Sequence, residues 1–97
     1  MRIEFAQGAR TEFAAATRRY ASEAGALQAK AFRAEVHHMQ TLIATHPAIG
    51  APTVSGSRYM VMDRFPFSIV YRHTADTLTI IAVAHHSRRP GYWTERR

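Results

Sequence analysis

The chain contains no cysteine, only one lysine and no long apolar run. The absence of cysteine excludes disulfides and thiolate chemistry. The most apolar run, from Leu78 to Ala84, is seven residues long with one threonine included, and about 18 apolar residues are needed to span a bilayer. The first residues, MRIEFAQ, lack the apolar stretch of a secretory signal. We therefore expect a cytoplasmic protein with no membrane partner.

Acidic residues are also scarce. Thirteen basic residues stand against seven acidic ones in 97 residues, a net charge of +6, and twelve of the thirteen are arginine. Four arginines and one glutamate lie between His85 and Arg97. This balance favours a polyanion or an acidic protein as partner, although a solvated arginine-rich surface gives the same balance. The length fits one domain over residues 1–97.

The first half of the chain is typical of a strand followed by two helices. RIEF, residues 2–5, alternates polar and apolar side chains. A helical pattern begins at Gly8, and Gly25 provides the turn that ends it. A second helix follows and ends before Pro47. The apolar stripes of the two helices are Phe13, Thr17, Tyr20 and Ala24, and then Phe32, Val36, Met39 and Ile43.

Beyond a loop of small residues from Ala48 to Ser57, the period of the pattern changes to two. RYMVMD, FSIVYR and TLTIIAVAH are strand-like, and the short breaks between them favour hairpins. The run from Thr77 to Ala84 is apolar or threonine throughout, as in a strand covered on both faces. The sequence predicts an α+β fold of order β-α-α-β-β-β, with a two-helix antiparallel hairpin packed on a small antiparallel sheet.

The densest group of reactive side chains is AHHSRRPGYW, from Ala84 to Trp93. Histidine can serve as acid or base near neutral pH. Arginine offers a fixed fork of donors to a phosphate, and an aromatic ring can stack on a nucleic-acid base. If the protein cleaves RNA, the candidate catalytic residues are therefore His86, Arg88 and Tyr92.

Strand geometry and simple packing both limit this interpretation. Neighbouring strand residues point to opposite faces, so His85 and His86 cannot both reach one phosphate unless the strand ends or bulges between them. By parity along the strand, we assign His86 to the face of Leu78 and Ile80. A structural role is an alternative for the whole stretch, in which the histidines form hydrogen bonds at a strand end and Trp93 folds back over the core.

The remaining polar residues carry weaker signals. No acidic residue stands one helical turn from both His37 and His38, and His46 and His73 are isolated, so we predict no metal site and no cofactor. We predict that the glutamates of the helices lie on solvated faces, namely Glu12, Glu23 and Glu35. The same interpretation is given to the basic residues Arg18, Arg19, Lys30 and Arg33.

In their order and spacing, these segments resemble the RelE/ParE superfamily of bacterial toxins from type II toxin–antitoxin pairs. The resemblance lies in RFPFSIVYR, in LTIIAVAHHSRRPGYW and in the P-x-x-G step from Pro47 to Gly50, and it covers nearly the whole chain. It implies a RelE/ParE-like fold, a growth-arresting function and a cognate antitoxin. The neutralising segment of that antitoxin is expected to be acidic and to fold on the toxin.

Two targets remain open on this resemblance. RFPF followed by VYR is closer to the ParE branch, whose members inhibit DNA gyrase by protein binding. RelE-like members cut messenger RNA on the ribosome without a metal, and they commonly carry an arginine where this chain has Ser68. We expect gyrase or another replication target, with mRNA cleavage as the alternative. The predicted residues for target or antitoxin binding are His85, Arg88, Arg89, Tyr92, Trp93 and Arg72.

Overall fold

The helical and alternating segments form the elements that their periodicities predict. The computed structural model describes residues 1–96, and the predicted order of one strand, two helices and three strands is confirmed. A two-residue strand and a 3₁₀ turn are added within the predicted loop. The elements are β1 (Arg2–Phe5), α1 (Gln7–Ala24), α2 (Ala26–Thr45), β2 (Ala51–Pro52), the 3₁₀ turn (Val54–Gly56), β3 (Arg58–Val61), β4 (Phe67–His73) and β5 (Thr77–His85).

The strands form one mixed sheet in the order β1-β5-β4-β3-β2. β1 lies parallel to β5, with Arg2 opposite Thr77, and the other neighbours are antiparallel. The predicted antiparallel pairing is confirmed for β3, β4 and β5 and is wrong for β1. The helical hairpin separates β1 from the later strands, and such a long connection allows parallel pairing. β5 therefore lies between β1 and β4.

Both helices pack on one side of the sheet, which we call the helix face. Phe32 of α2 is fully buried, and four aromatic rings surround it at centroid distances between 5.2 and 5.9 Å. Those rings belong to Phe13, Tyr20, Phe65 and Phe67. The predicted stripe of α2 is confirmed, since its members Phe32, Val36, Met39 and Ile43 are buried. In α1, Phe13 and Tyr20 pack against the core, whereas Ala24 is exposed.

The opposite side of the sheet, the back face, carries a second apolar cluster. Buried residues of β4 and β5 form it, and Tyr92 and Trp93 pack against them. β5 is thus covered on both faces, as its apolar run predicts. Neither helix of the described residues is long and apolar enough to cross a membrane.

A β-bulge at Ile81 divides β5 into two halves. Val70 lies opposite Ala82 while Tyr71 lies opposite Ile80, so Ile81 has no partner of its own. An extra residue reverses the alternation of side chains beyond it. Leu78 and Ile80 therefore belong to the helix-face core, whereas Ala82 and Ala84 belong to the back-face cluster.

The P-x-x-G step is fixed by the buried side chain of Tyr71. The Tyr71 hydroxyl donates to the carbonyl of Pro47 at 2.7 Å and accepts from the amide of Gly50 at 2.9 Å. A Cβ at position 50 would lie 2.7 Å from that hydroxyl and 2.8 Å from the carbonyl oxygen of Tyr59. The glycine is therefore required by the lack of space around it.

Glu35 of α2 holds the chain that follows β3, so the prediction of a solvated side chain is wrong. Only 11% of its side chain is exposed, and Arg64 lies 3.7 Å from it. Its carboxylate also accepts a hydrogen bond from the backbone amide of Asp63. Helix periodicity could not reveal this contact, because the acceptor and donor are 28 residues apart.

We expect Glu35→Ala to lower the free energy of unfolding by about 1 to 2 kcal/mol, because the hydrogen bond from the Asp63 amide to a charged, largely buried carboxylate is lost. Glu23→Ala is the matched control, since the Glu23 side chain is 65% exposed and pairs with the exposed Arg19. We expect the control to cost about 0.5 kcal/mol or less. Urea unfolding measures both, and equal losses would contradict the assignment of Glu35.

Candidate functional site

After β5 the chain turns back over the sheet as residues 87–96, which we call the C-terminal segment. Gly91 allows this turn, because residues with a Cβ rarely adopt its φ of +79°. Trp93 packs against the back-face cluster. The structural alternative for this stretch predicts this packing. The indole nitrogen of Trp93 is buried and has no hydrogen-bond partner among the described residues.

The C-terminal segment is fastened to α1 through Glu12. Only 14% of the Glu12 side chain is exposed, so the prediction of a solvated residue is wrong. The Tyr92 hydroxyl donates to Oε2 at 2.6 Å. Arg96 donates from Nη1 to Oε1 at 2.9 Å and from Nη2 to Oε2 at 3.1 Å, the bidentate geometry of a strong ion pair. Arg88 adds a weaker pair, with Nη1 3.6 Å from Oε2.

This junction also completes the hydrogen bonding of β5. β1 ends at Phe5, opposite Ile80, so the edge of β5 has no strand beside it beyond that point. Glu12 accepts from the amide of Val83 at 3.0 Å, and Arg96 donates to the carbonyl of Ile81 at 3.3 Å. Two side chains thereby satisfy backbone groups that the short β1 leaves unpaired.

The environment of Tyr92 keeps its phenol neutral. Burial raises the pKa of Tyr92, and the hydrogen bond to Glu12 and the charge of that carboxylate raise it further. The cations of Arg88 and Arg96 act in the opposite direction but are outweighed. The guanidinium carbon of Arg88 lies 3.8 Å from the centroid of the Tyr92 ring, a cation–π contact. Tyr92 is therefore a neutral donor that is already engaged with Glu12.

The two histidines at the end of β5 have different surroundings. His86 Nε2 lies 3.0 Å from the Ser68 hydroxyl. Since His86 follows Ala84 beyond the bulge, both belong to the back face, and the predicted sharing of a face with Leu78 and Ile80 is wrong. The cause is the extra residue at Ile81.

His85 lies on the side of α1, where it lines a cavity of about 530 Å³ together with Tyr20 and Arg88. Its Nδ1 accepts from the amide of Ser87 at 3.0 Å, which places the proton of the neutral ring on Nε2. Its ring meets that of Phe67 edge-on, with centroids 4.9 Å apart. The histidine pair is therefore split between the two faces, as strand alternation predicts.

Arg72 and Arg89 complete the predicted group. Arg72 donates to the carbonyls of Ser55 at 3.2 Å and Arg96 at 2.9 Å, so it links the 3₁₀ turn to the C-terminal segment. Arg89 is exposed. Within residues 1–96, no cluster of three or more histidine or acidic side chains is arranged to hold a metal ion.

A family model described as the ParE toxin of the type II toxin–antitoxin system, parDE, matches residues 3–90. The chain belongs to this family. A solved structure described as the chromosomal ParDE TA system from P. aeruginosa superposes with a TM-score of 0.74 and 21% identity, covering 88% of this chain and 95% of that chain. At this identity, the likeness shows a shared fold. No curated protein matches the chain.

The resemblance to the ParE branch that the sequence suggested is confirmed by this match. The protein is the toxin component of a type II toxin–antitoxin pair, and its family implies a cognate antitoxin as partner. The contacts of Glu12 with β5 and the C-terminal segment were not predicted from the sequence. The chain gives no local signal for them, because 80 residues separate Glu12 from Tyr92 and 84 separate it from Arg96.

Proposed function

We propose that this toxin arrests growth by binding DNA gyrase, and that it does not cut RNA. Membership of the ParE family supports this target. The geometry of the C-terminal segment supports it independently, because Arg88 and Tyr92, which RNA cleavage would use, are already engaged by Glu12.

Metal-free RNA cleavage needs a base, an acid and a cation for the charged phosphorane at one place. His86 lies on the back face beside Ser68, whereas Arg88 and Tyr92 turn toward Glu12 at the edge of β5. A carboxylate 3.6 Å from Arg88 offsets the charge that a phosphorane would need. The observation that carries the proposal is this engagement of Arg88 and Tyr92 by Glu12.

Binding a protein target requires shape and charge complementarity, and no acid–base set. Arg89 is exposed and can meet an acidic surface, whereas the pair with Glu12 reduces the charge that Arg88, with 51% of its side chain exposed, contributes there. His85 lines the 530 Å³ cavity beside α1 together with Arg88. We propose that these residues contact the target, with Tyr92, Trp93 and Arg72 holding the segment that presents them. An acidic antitoxin segment that covers this surface would neutralise the toxin.

The proposal is tested by plasmid supercoiling with purified gyrase and by mapping transcript ends after induction of the chain. We expect inhibited supercoiling and intact transcripts. Arg89→Glu should raise the half-inhibitory concentration about tenfold, because it reverses a charge at the proposed interface. His86→Ala should leave inhibition unchanged within about twofold, because its hydrogen bond to Ser68 is solvent-exposed.

Arg33→Glu is the control for the change in net charge, since Arg33 is exposed on α2. An equal loss of inhibition in Arg33→Glu and Arg89→Glu would argue against a specific contact at Arg89. Unimpaired supercoiling together with new cuts inside translated codons, abolished by His86→Ala, would overturn the gyrase proposal and favour mRNA cleavage.

A further inference from the structure

The position of the C-terminal segment depends on one acidic side chain of α1. We propose that Glu12 is a positioning residue, which holds residues 87–96 in the arrangement that binds the target. This inference rests on the proposed function, in which that segment presents the binding surface. It assigns a role in toxicity to a residue more than 70 positions before the segment itself.

Each carboxylate oxygen of Glu12 accepts two hydrogen bonds. Oε1 accepts from the Val83 amide and from Arg96, and Oε2 accepts from Tyr92 and from Arg96. The donors come from β5 and from two places in the C-terminal segment, so one carboxylate joins α1, the sheet and the segment. Water competes little for these hydrogen bonds, because only 14% of the Glu12 side chain is exposed.

The negative charge of Glu12 also offsets the positive charges of Arg88 and Arg96. Arg88 and Arg96 lie 3.8 and 5.1 Å from the centroid of the same Tyr92 ring, and both approach the carboxylate. Without that negative charge, nothing would offset the repulsion between the two guanidinium groups near this ring. Loss of the charge should therefore displace Tyr92 and its neighbours, while the helices and the sheet keep their core.

A second observation indicates that the first turn of α1 is shaped to receive Arg96. A Cβ at position 8 would lie between 2.5 and 2.7 Å from the guanidinium atoms of Arg96. Gly8→Ala should therefore push Arg96 away from Glu12 without altering the carboxylate. Alanine also favours the helix more than glycine does, so this variant releases the segment while preserving α1.

The test compares the wild type with Glu12→Gln, Gly8→Ala and the control Glu23→Gln, an exposed glutamate later in the same helix. Amide hydrogen exchange is measured over residues 87–96 and over α2, together with growth arrest on induction and inhibition of supercoiling. We expect at least about tenfold faster exchange in the segment for Glu12→Gln and Gly8→Ala, from the loss of charge-assisted bonds. Exchange in α2 should be unchanged, and growth arrest should weaken in both variants.

Unchanged exchange in the segment of Glu12→Gln and Gly8→Ala would overturn the inference. Faster exchange with full growth arrest would also overturn it, because the held position would then be irrelevant to toxicity. Faster exchange throughout α2 in both variants would show a general loss of stability and would count equally against positioning. If the wild type fails to inhibit supercoiling, the gyrase proposal fails, whereas growth arrest and segment exchange still decide the role of Glu12.

Discussion

Phe32→Ala should lower the free energy of unfolding by about 3 to 5 kcal/mol, the range for truncating a buried phenylalanine. The Phe32 ring is fully buried and lies between the helical hairpin and the sheet, within 6 Å of four other aromatic rings. Its loss leaves a cavity where α1, α2 and β4 meet. A domain of 97 residues has a total stability of about 5 to 15 kcal/mol, so growth arrest should be lost or greatly reduced.

Urea unfolding measures this loss directly. Leu27→Ala is the matched control on the same helix, because the Leu27 side chain is 85% exposed. We expect the control to change stability by about 0.5 kcal/mol or less. A loss below about 1 kcal/mol for Phe32→Ala would contradict the central place given to this ring.

The periodic parts of the sequence predicted most of the fold. The stripe of α2 is determined by local spacing, since Phe32, Val36, Met39 and Ile43 share one helix face whatever their partners are. The apolar run of β5 likewise predicted burial on both faces. In these elements one dominant pattern decides both the secondary structure and the side that is buried.

The parallel pairing of β1 and the bulge at Ile81 could not be predicted in the same way. RIEF gives a strand in either direction, and only the assembled helical hairpin brings it beside β5. The alternation of polar and apolar residues gives no sign of the bulge, because Ile80, Ile81 and Ala82 are all apolar. One extra residue there was enough to misplace the predicted face of His86 relative to Leu78.

The location of the candidate site stays a prediction from the sequence, and the way it is built could not be predicted. The density of histidine, arginine and aromatic residues predicts a site at residues 84–93, and the family match confirms the functional class that the resemblance implied. Glu12 was missed because an isolated glutamate on a helix is normally solvated. Its burial follows from tertiary facts, namely the early end of β1 and the return of the chain past β5.

Gly50→Ala should lower the free energy of unfolding by about 3 kcal/mol, because the added methyl overpacks a rigid site. One of its two close neighbours is the Tyr59 carbonyl at 2.8 Å, which belongs to β3 and cannot rotate away. Tyr71→Phe should cost about 1 to 3 kcal/mol, since the Gly50 amide and the Pro47 carbonyl lose their common partner.

The double variant Gly50→Ala/Tyr71→Phe separates overpacking at residue 50 from the loss of the Tyr71 hydrogen bonds. Removing the Tyr71 hydroxyl removes the 2.7 Å contact with the new methyl, but the contact with the Tyr59 carbonyl remains. The two losses should therefore combine to less than their sum, with a coupling of about 1 kcal/mol measured by urea unfolding. Strict additivity would mean that the hydroxyl does not limit residue 50. The P-x-x-G step of the loop would then require an explanation other than its fit around Tyr71.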